Sequence, residues 1–253
     1  GVVLLKLIFY WVAYPLIRPF YLVVLILNTI VLALIIIIIS PFDRQGNVVH
    51  YIGKFCSLLN VLLSGTRLTI KGKEKIDKRL TYIVMSNHQS LFDVWALIGK
   101  IPLQLRWIVK HEIRKMPIFG YALESMGHIY VDKKHHAATS SSLETAAGKI
   151  HQGTSVIIFP EGTRSADGHL LTFRTGGAMI AIKSGVPILP VTVNGSRFVL
   201  PKDTLALMPG QIEVVVGDVI DPSAYAENRK HELMDEVKAA IRKNLDLKYG
   251  SLL

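Results

Sequence analysis

The amino-acid sequence predicts an α/β fold, a mostly parallel sheet flanked by helices, behind an N-terminal apolar two-helix membrane motif. Two observations support this prediction. After about residue 65, short β-branched runs alternate with segments of helical spacing, a pattern typical of parallel sheets with crossover helices. The first 40 residues, by contrast, are almost purely apolar and carry charge only at Lys6 and Arg18. We therefore divide the 253 residues into membrane-binding helices with a connector, 1–64, and a globular domain, 65–253.

The apolar N-terminus consists of two blocks separated by Pro15 and Pro19. Proline lacks a backbone donor and clashes with the preceding turn, so this pair predicts a break or kink in any helix there. The second block, 21–39, has no charged residue, and as a helix it would be about 28 Å long, close to the hydrocarbon thickness of a bilayer. It could cross the membrane, or it could pair with the first block as a hairpin embedded in one leaflet.

Hydrophobic spacing and turn residues predict the individual elements after the apolar blocks. Apolar residues at helical spacing indicate an amphipathic connector over 48–64 and helices at 91–98, 117–126, 136–151, 178–183 and 224–245. Short runs rich in β-branched residues indicate strands at 67–70, 82–85, 106–109, 127–131, 155–159, 188–193 and 212–216. The run at 156–159 is apolar throughout, as expected of a strand that is buried on both faces.

The charge balance narrows the range of binding partners. The formal net charge is +10, which suits nucleic acid, anionic lipid or phosphorylated small molecules. The sequence has neither zinc-ligand spacing nor an aromatic-rich RNA-binding signature, so we expect no nucleic-acid partner. Cys56 is the only cysteine, which excludes an internal disulfide and a cysteine metal cluster. These features favour membrane phospholipid and phosphorylated small molecules, and we expect no metal.

A polar heptapeptide, residues 87–93, follows the strand predicted at 82–85 and contains His88 and Asp93. Inside one helix these two side chains would point about 140° apart, so they can meet only if His88 lies before the helix. Ser90 fits an N-cap with Asp93 three residues later, as in a capping box. Asp93 would then accept a bond from the His88 ring and make it an oriented base. The alternative is that Asp93 only caps the helix and His88 is a surface residue.

A second polar segment, residues 159–165, follows the most apolar strand and should lie at the carboxyl edge of the sheet, where ligands bind. Gly162 permits close backbone approach, Thr163 can donate to an anion, and Arg164 can hold a phosphate with two bonds. The alternative is a solvated turn in which Glu161 and Arg164 pair with each other. Lys110 ends the strand predicted at 106–109, again at a carboxyl edge, and is a further candidate ligand.

Taken together, these motifs resemble the glycerolipid acyltransferase family, most closely the bacterial type of 1-acylglycerol-3-phosphate acyltransferase. The resemblance covers about residues 80–195 in four ordered blocks. They are the His-x4-Asp box at 88–93, the segment 117–133, the Phe-Pro-Glu-Gly-Thr-Arg box at 159–164, and 186–190. The family's second block commonly ends in Asp-Arg, and Lys133 stands at that position here. A lysine keeps the charge but lacks the planar fork of arginine.

The resemblance implies transfer of a fatty acyl group from a thioester, acyl-CoA or acyl carrier protein, to the sn-2 hydroxyl of lysophosphatidic acid. The product would be phosphatidic acid. His88 is then the general base and Asp93 orients it. The glycerol phosphate is bound by the box that contains Glu161, Gly162, Thr163 and Arg164, with help from Lys110. We expect the 65–253 domain to be the acyltransferase catalytic domain, at the cytosolic face of a membrane, which is the inner membrane if the chain is bacterial.

Elementary chemistry agrees with that reaction. A hydroxyl that attacks a thioester needs proton removal and stabilisation of an oxyanion, and it needs no cofactor and no covalent intermediate. A serine hydrolase mechanism lacks its nucleophile, because the sequence has no Gly-x-Ser-x-Gly elbow. Two alternatives stay open at this point. The acceptor could be glycerol 3-phosphate or another lysophospholipid, or the chain could be a non-catalytic membrane protein that binds lipid.

Overall fold

The computed structural model describes residues 13–43, 46–131, 147–148, 150 and 153–251. Within these residues the centre of the fold is a seven-stranded sheet in the order β1-β7-β6-β2-β5-β3-β4. Every neighbouring pair is parallel except β6 with β7, which is antiparallel. This confirms the mostly parallel sheet and all seven predicted strands. The strands are β1 Arg67–Lys71, β2 Ile83–Ser86, β3 Leu105–Lys110, β4 Ile129–Val131, β5 Ser155–Ile158, β6 Ile188–Asn194 and β7 Gln211–Val216.

Helices cover both faces of this sheet. They are α1 Tyr14–Ile39, α2 Asn47–Leu63, α3 Phe92–Lys100, α4 Phe119–Ser125, α5 Gly176–Ser184, the single turn α6 Ser196–Val199, and α7 Lys230–Lys243. The predicted connector and the helices near 91, 117 and 178 are confirmed. The terminal helix begins later than predicted, because Pro222–Ala224 and Glu227–Arg229 form separate 3-10 turns. The helix predicted at 136–151 falls largely outside the described residues.

The central strands are buried on both faces, and their side chains alternate between two cores. Val84 of β2 faces a core built with α3, whereas its neighbours Ile83 and Met85 face a core built with α5 and α7. Strands β2, β5 and β6 are buried at every position. Parallel strands with helices on both sides require this continuous burial. The carboxyl ends of these strands therefore present loops on a rigid support.

The sequence predicts a break or a kink at Pro15 and Pro19; a break is wrong, because α1 runs through both residues. Pro19 lacks the N–H that would bond to the carbonyl of Pro15, and the helix continues past this missing bond. The first apolar block, 2–12, and its pairing with the second lie outside the described residues.

Helix α1 packs antiparallel against α2 and forms an apolar hairpin with it. The two helices are joined by polar contacts in their middle: Asn28 Nδ2 donates to Asn60 Oδ1 at 2.6 Å, and Asn60 Nδ2 donates to Thr29 Oγ1 at 3.0 Å. Of the described residues, one helical stretch, Tyr14–Phe42, is long and apolar enough to cross a membrane by length and composition. Large apolar side chains are exposed along both helices, among them Leu16, Phe20, Leu27, Val31, Ile38, Phe42, Tyr51, Phe55 and Leu62.

Candidate active site

The loop after β2 begins at Asn87, whose side chain fixes it to the neighbouring strand β6. Asn87 Nδ2 donates to the carbonyl of Val193 at 2.9 Å, and the N–H of Val193 donates to Asn87 Oδ1 at 2.8 Å. The side-chain amide of Asn87 thus takes the place of a backbone amide and extends the hydrogen bonding between β2 and β6 by one residue. The sequence contains this asparagine in the heptapeptide, but its partner is 106 residues away, so no local pattern indicates the role.

His88 and Asp93 are in contact, as the sequence predicts. The His88 Nδ1 lies 2.8 Å from Asp93 Oδ2. The same oxygen accepts the backbone N–H groups of Gln89 at 2.6 Å and Ser90 at 2.8 Å. Asp93 is fully buried, and 12% of the His88 side chain is exposed. Because a carboxylate only accepts, Nδ1 of His88 carries the hydrogen, and Nε2 is left as a free acceptor.

The capping contacts that bring this pair together are also present. His88 precedes α3, and the Ser90 Oγ accepts the N–H of Phe92 at 3.2 Å. Asp93 returns a bond to the N–H of Ser90, which is the reciprocal half of a capping box. The helix itself begins at Phe92, one residue later than predicted, so the predicted N-cap is wrong: Leu91 holds that position and Asp93 is the second helical residue instead of the third. The Asp93 carboxylate therefore binds both the N–H of Ser90 and the ring of His88. The alternative, in which Asp93 only caps the helix and His88 is a surface residue, is wrong.

The ring of Phe159 supports the His88 imidazole from one side. The two ring centroids are 4.0 Å apart and the planes differ by 15°. Parallel contact at this distance restricts the tilt of the imidazole, while the Asp93 bond restricts its rotation. Phe159 belongs to the second box, but the sequence gives no sign that it touches the histidine. Its position follows from the parallel pairing of β2 with β5, which places both loops at one edge.

Glu161 connects the two loops. It is 3% exposed. Its Oε1 accepts the N–H of His88 at 2.8 Å, and its Oε2 accepts the N–H of Leu171 at 2.9 Å. Burial raises the pKa of the Glu161 carboxyl, against the backbone N–H groups of Leu171 and His88, which lower it. Both oxygens are thus engaged by backbone N–H groups, and the alternative in which Glu161 pairs with Arg164 is wrong.

The turn after Glu161 requires glycine and leads into a second link between the loops. Gly162 has φ +71°, and a Cβ there would lie 3.0 Å from Nε of Arg174. A side chain would therefore meet both backbone strain and a crowded neighbour. Three residues on, the N–H of Ser165 donates to the carbonyl of His88 at 2.7 Å. Both backbone polar groups of His88 are consequently held by the second box.

Arg164 and Thr163 point away from this framework and are accessible. Thr163 is exposed and 23% of the Arg164 side chain is exposed. The Arg164 Nη2 lies 2.9 Å from Oδ1 of Asp203, whose side chain is 68% exposed. Asp203 belongs to an irregular loop 39 residues away, so nothing in the sequence indicates this partner. The box therefore offers a hydroxyl and a guanidinium at the edge that carries His88.

The remaining predicted site residues are only partly described. Lys110 is the last residue of β3, at the same carboxyl edge as the two boxes, and its side chain is outside the described part of the structure. Lys133 also lies outside it. In the described ranges, no group of three or more His, Cys, Asp or Glu residues is placed to hold a metal ion.

A small apolar cavity lies between the α1–α2 hairpin and the elements α3, β3 and α4. The lining is dominated by apolar side chains, including Ala33, Ile36, Cys56, Val94, Trp95, Ile98, Trp107, Leu123 and Met126. Neither His88 nor Asp93 is among the lining residues.

Comparisons with known proteins agree with this architecture. The acyltransferase family model matches residues 67–194, which include both boxes. The 1-acyl-sn-glycerol-3-phosphate acyltransferase of Cocos nucifera is 32% identical over 85% of this chain and 70% of its own. The enzyme of that name from Pseudomonas aeruginosa is 32% identical over 75% and 72%. The crystal structure of the 1-acyl-sn-glycerophosphate (LPA) acyltransferase PlsC of Thermotoga maritima superposes with a TM-score of 0.77 at 25% identity and covers 92% of this chain and 95% of that one. The chain therefore belongs to the acyltransferase family.

Proposed function

We propose that the protein is a membrane-bound 1-acylglycerol-3-phosphate O-acyltransferase. It moves a fatty acyl group from a thioester donor to the sn-2 hydroxyl of lysophosphatidic acid and yields phosphatidic acid. The observation that carries the proposal is the 2.8 Å contact between His88 Nδ1 and Asp93 Oδ2, which leaves Nε2 free as a base at the edge that also presents Arg164. The names of the related enzymes support lysophosphatidic acid as the acceptor.

The reaction needs one base that later becomes an acid. The oxygen of the acceptor hydroxyl attacks the thioester carbonyl while Nε2 of His88 removes the hydroxyl proton. The tetrahedral intermediate forms in this step. When that intermediate collapses, the C–O bond remains, the C–S bond breaks, and the sulfur leaves with the proton from Nε2. Asp93 fixes the Nδ1–H tautomer throughout and stabilises the transient imidazolium. No cofactor and no metal enters these steps.

The acceptor's phosphate is bound beside this base by the second box. Arg164 donates from its planar fork to phosphate oxygens, and Thr163 adds a hydroxyl. Lys110 supplies a further positive charge at the same carboxyl edge. Glu161 does not bind the phosphate in this proposal. Its carboxylate accepts the N–H groups of His88 and Leu171 and so holds the His88 loop against the second box. Gly162 lets the backbone turn so that Thr163 and Arg164 face the ligand.

The apolar parts of the protein match the apolar parts of the substrates. The exposed apolar faces of α1 and α2 support binding to membrane phospholipid, where a lysophospholipid is dissolved. The catalytic domain then lies at the cytosolic face, within reach of acyl-CoA or acyl carrier protein, and its positive charge favours either anionic donor.

Purified protein offered each acceptor with each donor tests the reaction. We expect phosphatidic acid from lysophosphatidic acid, with acyl-CoA or acyl carrier protein as the donor. Glycerol 3-phosphate in place of lysophosphatidic acid is the matched acceptor control, because it carries the same phosphate without an acyl chain. Acylation of glycerol 3-phosphate alone, or no transfer to either acceptor, would contradict the proposal.

Charged substitutions on the α1–α2 hairpin test separately whether its exposed apolar faces bind the membrane. Phe20 and Phe55 are 68% and 57% exposed on α1 and α2. We expect Phe20→Glu with Phe55→Glu to abolish co-sedimentation with phospholipid vesicles, because buried charge in the interface is costly. Turnover of a short-chain, water-soluble acceptor is the control and should persist. Unchanged vesicle binding would contradict this assignment of the surface.

A further inference from the structure

The guanidinium of Arg164 is paired with a carboxylate in this structure. Nη2 of Arg164 lies 2.9 Å from Oδ1 of Asp203. The pair is uneven in its exposure, since 23% of the arginine side chain and 68% of the aspartate side chain are accessible. Asp203 is therefore the more accessible partner of the pair.

The backbone of Asp203 is held in an uncommon conformation. Its φ is +57°, in the left-handed region that residues other than glycine seldom adopt, although aspartate and asparagine tolerate it. The surrounding loop is tied at both ends. The carbonyl of Leu200 accepts Ser90 Oγ at 2.8 Å, and the N–H of Met208 donates to the carbonyl of Val199 at 2.8 Å. The loop thus presents Asp203 from fixed supports, one of which is the loop of the catalytic histidine.

We propose that Asp203 sets the affinity of the acceptor site: its carboxylate occupies Arg164 until the acceptor's phosphate displaces it. The inference rests on the assignment of Arg164 to the phosphate under the proposed function. A carboxylate and a phosphate compete for the same N–H donors of a guanidinium. A phosphate monoester carries a charge of about −1.5 to −2 at neutral pH and wins that competition. An uncharged acceptor makes no use of Arg164 and is unaffected, so the pair lowers the affinity for phosphorylated acceptors alone.

The size of the effect follows from the exposure of the pair. Exposed ion pairs alter an equilibrium by about five-fold at most. Removal of the Asp203 charge should therefore lower the KM for lysophosphatidic acid by about two- to five-fold, with kcat unchanged. If Asp203 instead only oriented Arg164, its replacement would change the KM in the opposite direction. The guanidinium would be less well placed for the phosphate, and the KM for lysophosphatidic acid would rise.

Asp203→Asn is the variant of choice, since asparagine also tolerates a positive φ and preserves the shape of the side chain. Two quantities are measured: the KM for lysophosphatidic acid in the transfer assay, and the Kd of glycerol 3-phosphate by calorimetry on the detergent-solubilised full chain. Both should fall. Asp218→Asn is the matched control, because Asp218 is also exposed, at 81%, and pairs with Lys75 elsewhere on the surface.

A double-substitution cycle locates the effect at the pair. In an Arg164→Gln background, Asp203→Asn should no longer change either constant, since the two residues act on one another. With monoacylglycerol, which lacks the phosphate, the KM should not fall. An unchanged or raised Kd for glycerol 3-phosphate in Asp203→Asn would overturn the inference. If the wild-type chain transfers no acyl group to lysophosphatidic acid, the proposed function fails, while the Kd of glycerol 3-phosphate still decides the role of Asp203.

Discussion

Two buried or nearly buried histidines, His88 and His128, use the same ring nitrogen in opposite ways. Nδ1 of His88 faces the carboxylate of Asp93 at 2.8 Å and must donate. Nδ1 of His128 faces the N–H of Trp107 at 2.7 Å and must accept. His88 thus keeps a free basic nitrogen beside an anion. His128 is kept neutral, because burial lowers its pKa to about 3, with further lowering by the charge of Arg106 and by His50.

The difference shows that the neighbour of a histidine decides its chemistry. An anion next to the ring stabilises the imidazolium that a general base becomes, whereas a buried cation next to the ring opposes it. Arg106 is itself buried, and its Nη2 donates to the carbonyl of Gly46 at 3.2 Å, at the turn that leads into α2. His128 therefore belongs to a structural cluster between β3 and the hairpin, and four experiments distinguish its role from that of His88.

Replacement of His88 should have the largest effect. We expect His88→Ala to lower kcat by up to about 10⁴-fold, because the acceptor hydroxyl loses its base. The measurement is initial-rate transfer to lysophosphatidic acid, with circular dichroism and vesicle binding as checks on folding. His231→Ala, at an exposed position of α7, is the matched control. Full turnover by His88→Ala would remove the base assignment.

Replacement of Asp93 by asparagine should have the second-largest effect on the rate of acyl transfer. Asparagine keeps one acceptor oxygen but carries no charge, so the three N–H groups that now converge on Oδ2 lose their charged acceptor, and a flipped amide would turn an NH₂ donor toward the His88 ring. Without the Asp93 carboxylate, the tautomer of His88 is no longer fixed and the imidazolium has no anion beside it. We therefore expect kcat to fall by about 10²-fold or more. A pH–rate profile is the second readout, because it reports the pKa of the base. An unaltered profile would argue against the orienting role.

His128 should affect stability and its dependence on pH. Its folded-state pKa lies below the unfolded value, so the unfolded chain binds more protons, and stability falls as pH decreases below about 6.5. The slope is about 1.4 kcal/mol per pH unit for this one group, down to its folded pKa of about 3. His128→Asn keeps an acceptor for the Trp107 N–H but does not titrate. Denaturant unfolding at several pH values should show a shallower slope for this variant than for wild type, and equal slopes would contradict the pKa argument.

The Phe159 contact should give the smallest effect. Phe159→Leu keeps an apolar neighbour but removes the stacked ring, so His88 gains freedom to tilt. Aromatic contacts of this kind contribute about 0.5–1.5 kcal/mol, and we expect a reduction in kcat of about two- to ten-fold at unchanged KM. Thermal unfolding is the control for general loss of packing. A reduction as large as that of Asp93→Asn would mean that Phe159 does more than support the ring.

The predictions that succeeded depend on short stretches of sequence. The seven strands follow from local β-branched runs, and the His88–Asp93 contact follows from a capping box whose members lie within six residues. The sequence could not indicate the partners of Asn87, Glu161 and Arg164, because these contacts join segments that meet only after the parallel strands have paired. Glu161 is the clearest case: its motif suggests ligand binding, yet burial commits both of its oxygens to backbone N–H groups.

The N-terminal error has a different physical origin. Local sequence rules treat each proline as a helix breaker, but the cost depends on which carbonyl loses its donor. For Pro19 that carbonyl belongs to Pro15, and α1 continues across the missing hydrogen bond. A rule for single prolines therefore overestimates their effect on a 26-residue apolar helix.

The amide contacts between α1 and α2 have a consequence for how the enzyme sits in lipid. Hydrocarbon offers no competing hydrogen-bond partner, so the contacts of Asn60 with Asn28 and Thr29 resist sliding of one helix along the other. If the hairpin binds the bilayer as proposed, its two helices would enter it as one rigid unit. The height of His88 relative to the hairpin would then be set by the protein.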